Sequence, residues 1–190
     1  MLRSFAWVLA VGPILAVGGC SDPVPTAVAV GLNLTLSQTG TCPIMPGFSA
    51  NIGNPPPDST NAAVGPGKRV YSGEGGLKAS CGVSGGGTFK VNGSIQSPAS
   101  HITFNVDGSV TNPTGQGTIS LATPALEAAV SSPPTSPCTL TLVQTTSGPA
   151  VEPGRVWSRF DCPTLTGAAG GNPNLICAAT GEFFFENCSK

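Results

Sequence analysis

The chain has 190 residues, of which only 9% are charged, against about 25% in an ordinary globular protein. Eight Lys and Arg stand against nine Asp and Glu, so the formal net charge is −1 and no basic footprint for nucleic acid exists. Charge this sparse also excludes a highly charged disordered tail, while 39% hydrophobic residues can supply the core of one domain.

Read in chain order, the first feature is a secretory leader. Met1 to Ser4 carries one cation, Arg3, and 13 residues from Phe5 to Val17 form an apolar run interrupted by Pro13. A membrane span needs about 20 residues, so the run has the length of a signal-peptide core. Val17-Gly18-Gly19 then leads into Cys20. This junction resembles the lipobox of bacterial lipoproteins, although Val17 stands where that family more often has Leu. The resemblance implies a signal peptide over 1–19, a diacylglyceryl group on the Cys20 sulfur, cleavage before Cys20 and acylation of the new amine. The partner so implied is the lipid bilayer. Ser21 follows the lipidated position, which in a Gram-negative relative implies export to the outer membrane. Each buried CH₂ contributes about 0.8 kcal/mol, so two or three acyl chains anchor stably where one would not. The tether 20–26 is short: the six residues after Cys20 reach about 20 Å at most.

Seven cysteines are an odd number, and setting Cys20 aside leaves six, enough for three disulfides in an oxidising compartment. Fifteen connectivities exist. The preferred set is Cys42–Cys81, Cys138–Cys188 and Cys162–Cys177, with Cys138–Cys162 a direct competitor. Cys177–Cys188 is excluded if one strand joins them, because 11 steps at about 3.3 Å place them far beyond bridging distance. No C-x-x-C pair occurs and the single histidine, His101, is remote in sequence from the cysteines, so no metal or other cofactor is indicated.

From residue 27 onward the apolar period is two. Val28, Val30, Leu32, Leu34 and Leu36 alternate with small or polar residues and predict a half-buried strand. Weaker strands are expected at 48–52 and 68–72, separated by a Pro/Gly-rich loop over 53–67. Leu77, Ala79, Cys81 and Val83 share a face; Phe89, Val91, Gly93 and Ile95 share the next; Ile102, Phe104 and Val106 follow. Asp107-Gly108 reads as a hairpin turn, with Ser109–Thr111 returning and Thr118–Leu121 after it. Ala125 to Val130 has helical character, bounded by prolines. Three strands close the chain: 138–143, 154–162 and 175–188. About nine short strands with almost no helix predict an all-β, antiparallel sandwich stapled by disulfides, in a single domain over 27–190.

Chemistry is sparse. A Ser-His-Asp triad would need His101, which stands at a strand edge beside a proline, and no G-x-S-x-G elbow is present. One constellation exceeds composition. Arg155, Trp157, Arg159 and Asp161 share a parity, as do Glu182, Phe184 and Glu186. Pairing Arg155 with Glu186 sets Trp157 opposite Phe184 and Arg159 opposite Glu182, and centres the turn on Gly170-Gly171. Either the two stripes cover one another, or Arg155, Trp157 and Arg159 form a surface for a protein or glycan partner. The expected role is that of a non-enzymatic envelope lipoprotein with a structural or interaction task. A glycan- or peptide-binding module is the alternative, and a hydrolase a lesser one that two carboxylates in one pocket would revive.

Overall fold

The computed structural model describes residues 26–37, 39–42, 48–53, 68–126, 128–143, 149–169 and 172–190. The leader, Cys20, most of the tether, most of the 53–67 loop and the Gly170-Gly171 turn lie outside the described residues. The described chain forms twelve strands, rather than about nine: β1 (Ala29–Ser37), β2 (Ser49–Ile52), β3 (Val70–Tyr71), β4 (Lys78–Gly86), β5 (Thr88–Ser97), β6 (Ile102–Thr111), β7 (Thr114–Ala122), β8 (Val130–Ser131), β9 (Cys138–Leu142), β10 (Val151–Glu152), β11 (Arg155–Ala169) and β12 (Asn172–Glu186). Among the described residues no helix is long and apolar enough to cross a membrane.

The strands join one antiparallel sheet in the order β2-β1-β12-β11-β8-β7-β6-β5-β4, with β9 also bridging β11 and β7. That sheet folds over on itself. One leaf holds β2, β1, β12 and β11; the other is the β7-β6-β5-β4 meander. The leaves meet through their apolar parities, as in a sandwich: the Phe104 ring of β6 lies 5.6 Å from Phe160 of β11 and 5.6 Å from Phe183 of β12. Val30, Leu32, Leu34 and Leu36 are fully buried, as the alternation requires. Complete burial of such a side chain contributes about 1.5–3 kcal/mol. Ser158 is the polar exception on the inward parity of β11, and its hydroxyl is satisfied by donating to the Thr141 carbonyl at 3.1 Å.

The free edge of β4 is closed against the chain end. Ser189 N–H donates to the Cys81 carbonyl, Val83 N–H to the Ser189 carbonyl, and Gly154 N–H to the Val83 carbonyl. This covers an edge that would otherwise invite pairing with another chain.

Three disulfides pin the arrangement: Cys42–Cys177, Cys81–Cys188 and Cys138–Cys162, with Cα atoms 4.9, 4.8 and 4.3 Å apart. The expected competitor Cys138–Cys162 is present; the preferred pairs Cys42–Cys81, Cys138–Cys188 and Cys162–Cys177 are not. Register explains each correction. Thr139 faces Asp161, so the next step sets Cys138 against Cys162. Ser37 faces Ala178, so the chain leaving β1 brings Cys42 to Cys177. Cys188, beyond the end of β12, is left beside β4 and Cys81. Bridges of this kind contribute about 2–4 kcal/mol each.

Two local expectations also fail. Asp107-Gly108 is no turn: β6 runs straight through it, and the chain reverses at Asn112-Pro113, whose peptide bond is cis. Gly108 serves close approach, since a Cβ there would lie 2.6 Å from the Gln116 carbonyl oxygen. Nor are the described residues of 125–130 helical. After Pro124 the Thr123 hydroxyl accepts from Ala125 N–H at 3.0 Å, and β8 begins at Val130, so pairing with β7 and β11 overrides the local preference.

Candidate functional site

The outward face of the β1-β12-β11-β9 region carries the paired stripes. The expected register holds from Arg155 to Cys162: Arg155 faces Glu186, Trp157 faces Phe184, and Arg159 faces Glu182. It ends in an irregularity between Cys162 and Leu165, after which Leu165 faces Cys177. On the other side of β12, Gly31, Asn33 and Thr35 of β1 face Phe184, Glu182 and Thr180.

Trp157 is not offered to a partner. Trp157, Phe184 and Val143, each at most 3% exposed, form a small apolar cluster separate from the main core. Gly31 makes room for it, because a Cβ there would sit 2.1 Å from the Phe184 ring. The indole N–H donates to Glu182 Oε1, while Glu182 Oε2 lies 3.5 Å from Arg159 Nε. Glu182 is thus buried with both oxygens engaged. Burial pushes its carboxyl above the ordinary glutamate range, and the Trp157 and Arg159 contacts act in the opposite sense.

The flanking arginines differ. Arg155 does not take Glu186 across the strand; it lies 3.3 Å from Glu152 and donates to the Pro149 carbonyl at 2.7 Å. Glu186 is held instead by Arg69, whose Nε and Nη2 both donate to it. That hydrogen bonding raises the Arg69 pKa. Arg69 was outside the expected set, and only the β1–β3 pairing, which brings residues 68–71 to the end of β1, could have found it. Arg159 keeps 43% of its side chain exposed.

Beside the cluster lies a shallow groove of about 530 Å³ crossing four strands. It is lined by Asn33 and Thr35 of β1, Thr180, Gly181 and Glu182 of β12, Arg159, Phe160 and Asp161 of β11, and Thr141 of β9, with polar side chains set over an apolar floor. Arg159, Asp161 and Glu182 stand on the stripes that the alternation marks; Asn33, Thr35, Thr141 and Thr180 carry no such signal. Two carboxylates therefore line one cavity, the arrangement that acid–base hydrolysis requires. Glu182, however, is committed to Trp157 and Arg159. His101, exposed in the turn before β6 with φ +52°, stands apart from this groove. Among the described residues, no group of three His, Cys, Asp or Glu is placed to hold a metal ion. No known protein family, curated protein or solved structure matches the chain.

Proposed function

We propose that the protein is a lipid-anchored cell-envelope lipoprotein whose β-sandwich has a non-enzymatic structural or interaction role. The observation that carries this reading is the cysteine accounting. Three disulfides take six of the seven cysteines, and the one outside them is Cys20, at the lipobox-like junction. The fold begins close behind it: the Ala27 carbonyl accepts from the Asn187 amide at 2.9 Å. Seven residues of extended chain span about 25 Å at most, so the sandwich would ride near the bilayer. By the same resemblance Ser21 would direct the protein to the outer membrane if the cell is Gram-negative.

The test is replacement of Cys20. The wild type should partition with membranes and carry acyl groups on the peptide beginning at Cys20. The Cys20→Ser chain should keep residues 1–19 and carry no lipid. Acylation that persists in that variant, or cleavage elsewhere, overturns the reading. The glycan- or peptide-binding alternative rests on a separate observation, the polar groove.

A further inference from the structure

We propose that the groove crossing β1, β12, β11 and β9 is a binding site for a neutral oligosaccharide. This rests on the interaction role proposed above and gives it a ligand class.

The first ground is an unspent set of polar groups. Among the described residues, the side chains of Asn33, Thr35, Thr141, Asp161 and Thr180 make no hydrogen bond, and the Nη groups of Arg159 donate to none; only Arg159 Nε approaches Glu182. Hydroxyls and an amide both donate and accept, a carboxylate only accepts, and a guanidinium only donates. A sugar ring presents neighbouring hydroxyls that do both, so it can answer each of these groups. Adjacent strands are about 4.8 Å apart and same-face residues along one strand about 6.6 Å. The lining is therefore a lattice of polar groups at the scale of a pyranose ring.

Charge is the second ground. Arg159 stands against Asp161 and against Glu182, which it already contacts. Two carboxylates repel a sulfated or phosphorylated chain, and the guanidinium disfavours a polycation. A neutral ligand meets neither penalty.

The third ground is the missing anchor for other partners. Peptides and lipids bind through aromatic or aliphatic groups in apolar pockets. The exposed large apolar side chains among the described residues, Tyr71 and Ile176, do not line this groove, and Phe160, which does, is 2% exposed with its ring packed against Phe104 in the core. The lining side chains are mostly short and stand on paired strands, so ordering them on binding loses little entropy. A volume of about 530 Å³ lies within the range of small-ligand sites and suits one or two rings.

The experiment titrates the full chain, in detergent micelles, with neutral tetrasaccharides of glucose and of N-acetylglucosamine. A heparin tetrasaccharide and an unmodified tetrapeptide run beside them. At least one neutral sugar should bind in the millimolar range or tighter. Asp161→Ala, which removes one charge-assisted contact, and Thr180→Lys, which puts a long side chain into the groove, should each weaken it by about tenfold or more. Thr118→Lys, on the other leaf, should leave it unchanged. Circular dichroism of each variant separates lost binding from lost folding. Failure of every neutral sugar, or binding indifferent to Asp161 and Thr180, overturns the proposal. Preference for heparin or the tetrapeptide overturns the ligand class while keeping the interaction role. Release of shorter sugars overturns the non-enzymatic role itself and brings back the hydrolase reading.

Discussion

The two leaves share one core but present different outer faces. On the β4–β7 meander the outward residues form a single polar layer: Ser80, Ser94, Asn105 and Ser120 make one cross-strand row, and Asn92, Asp107 and Thr118 another. The contacts there are short and local, such as Ser80 Oγ to Ser94 Oγ at 2.8 Å. On the β1-β12-β11 leaf the outward face instead buries Trp157, Phe184 and Glu182. A chain this poor in charge solvates one leaf mostly with hydroxyls and amides, beside Lys78, Lys90 and Asp107. On the other leaf it spends aromatic residues on a second, smaller core. Burying a carboxylate there costs free energy that packing alone would not require. The comparison separates a leaf that carries a second buried layer from a meander whose outer face is solvated.

The largest expected effect tests whether that extra layer is structural. Trp157→Ala removes a 3%-exposed side chain and strips Glu182 of its indole donor. It should cost about 3–5 kcal/mol in urea unfolding, as truncation of a core aromatic does. Thr118→Ala, exposed on the meander, should stay within about 0.5 kcal/mol of wild type. Similar costs for the two would erase the distinction between the leaves.

Much of this face was legible in the sequence, because three favourable pairs and a Gly-rich turn agree on one register for β11 and β12. Alternation likewise placed Val30, Leu32, Leu34 and Leu36 in the core. What the sequence withheld is non-local. The partners of Cys42 and Cys81 depend on where β1 ends beside Cys177 and where β4 meets the chain end, with sequence separations of 135 and 107 residues. Asp107-Gly108 misled because glycine answers two needs, a turn or close backbone approach, and only the neighbouring strand decides between them. The groove was hidden for a related reason. Asn33, Thr35, Thr141 and Thr180 are unremarkable singly and join Arg159 and Asp161 in a site only when four strands align.

A smaller effect should appear in the pH dependence of stability. The folded-state pKa of Glu182 is raised, chiefly by burial, so the native state binds this proton more tightly than the unfolded chain does. Stability from this group is therefore fullest below the ordinary glutamate range. It is lost as pH rises from that range through the raised value, and is flat above it. Glu182→Gln cannot ionise, yet its amide oxygen can still accept from Trp157. Subtracting its urea midpoints from those of wild type across the acid range should give a curve that falls with pH. A flat difference would mean that the carboxylate is as comfortable folded as unfolded, a rising one that folding favours it, and either that this face buries no strained charge.

The smallest effect belongs to Arg155, two residues from Trp157 on the same stripe. Its ion pair with Glu152 is largely open to water, the two side chains being 33% and 47% exposed. Such pairs contribute about 0–1 kcal/mol and weaken with salt. The bond to the Pro149 carbonyl adds a second contact in the same solvated setting. Arg155→Ala should therefore cost under about 1 kcal/mol, and less in high salt than in low. Trp157→Ala should be nearly indifferent to salt, because its loss is one of packing and of a buried hydrogen bond. The two residues share a strand, a parity and a partner strand, so that similarity predicts equal costs. Burial predicts a several-fold difference, and a salt titration of both variants distinguishes the two. A large, salt-independent loss at Arg155 would show that the small core extends to the end of the strand, narrowing the contrast between the leaves to the stretch around the groove.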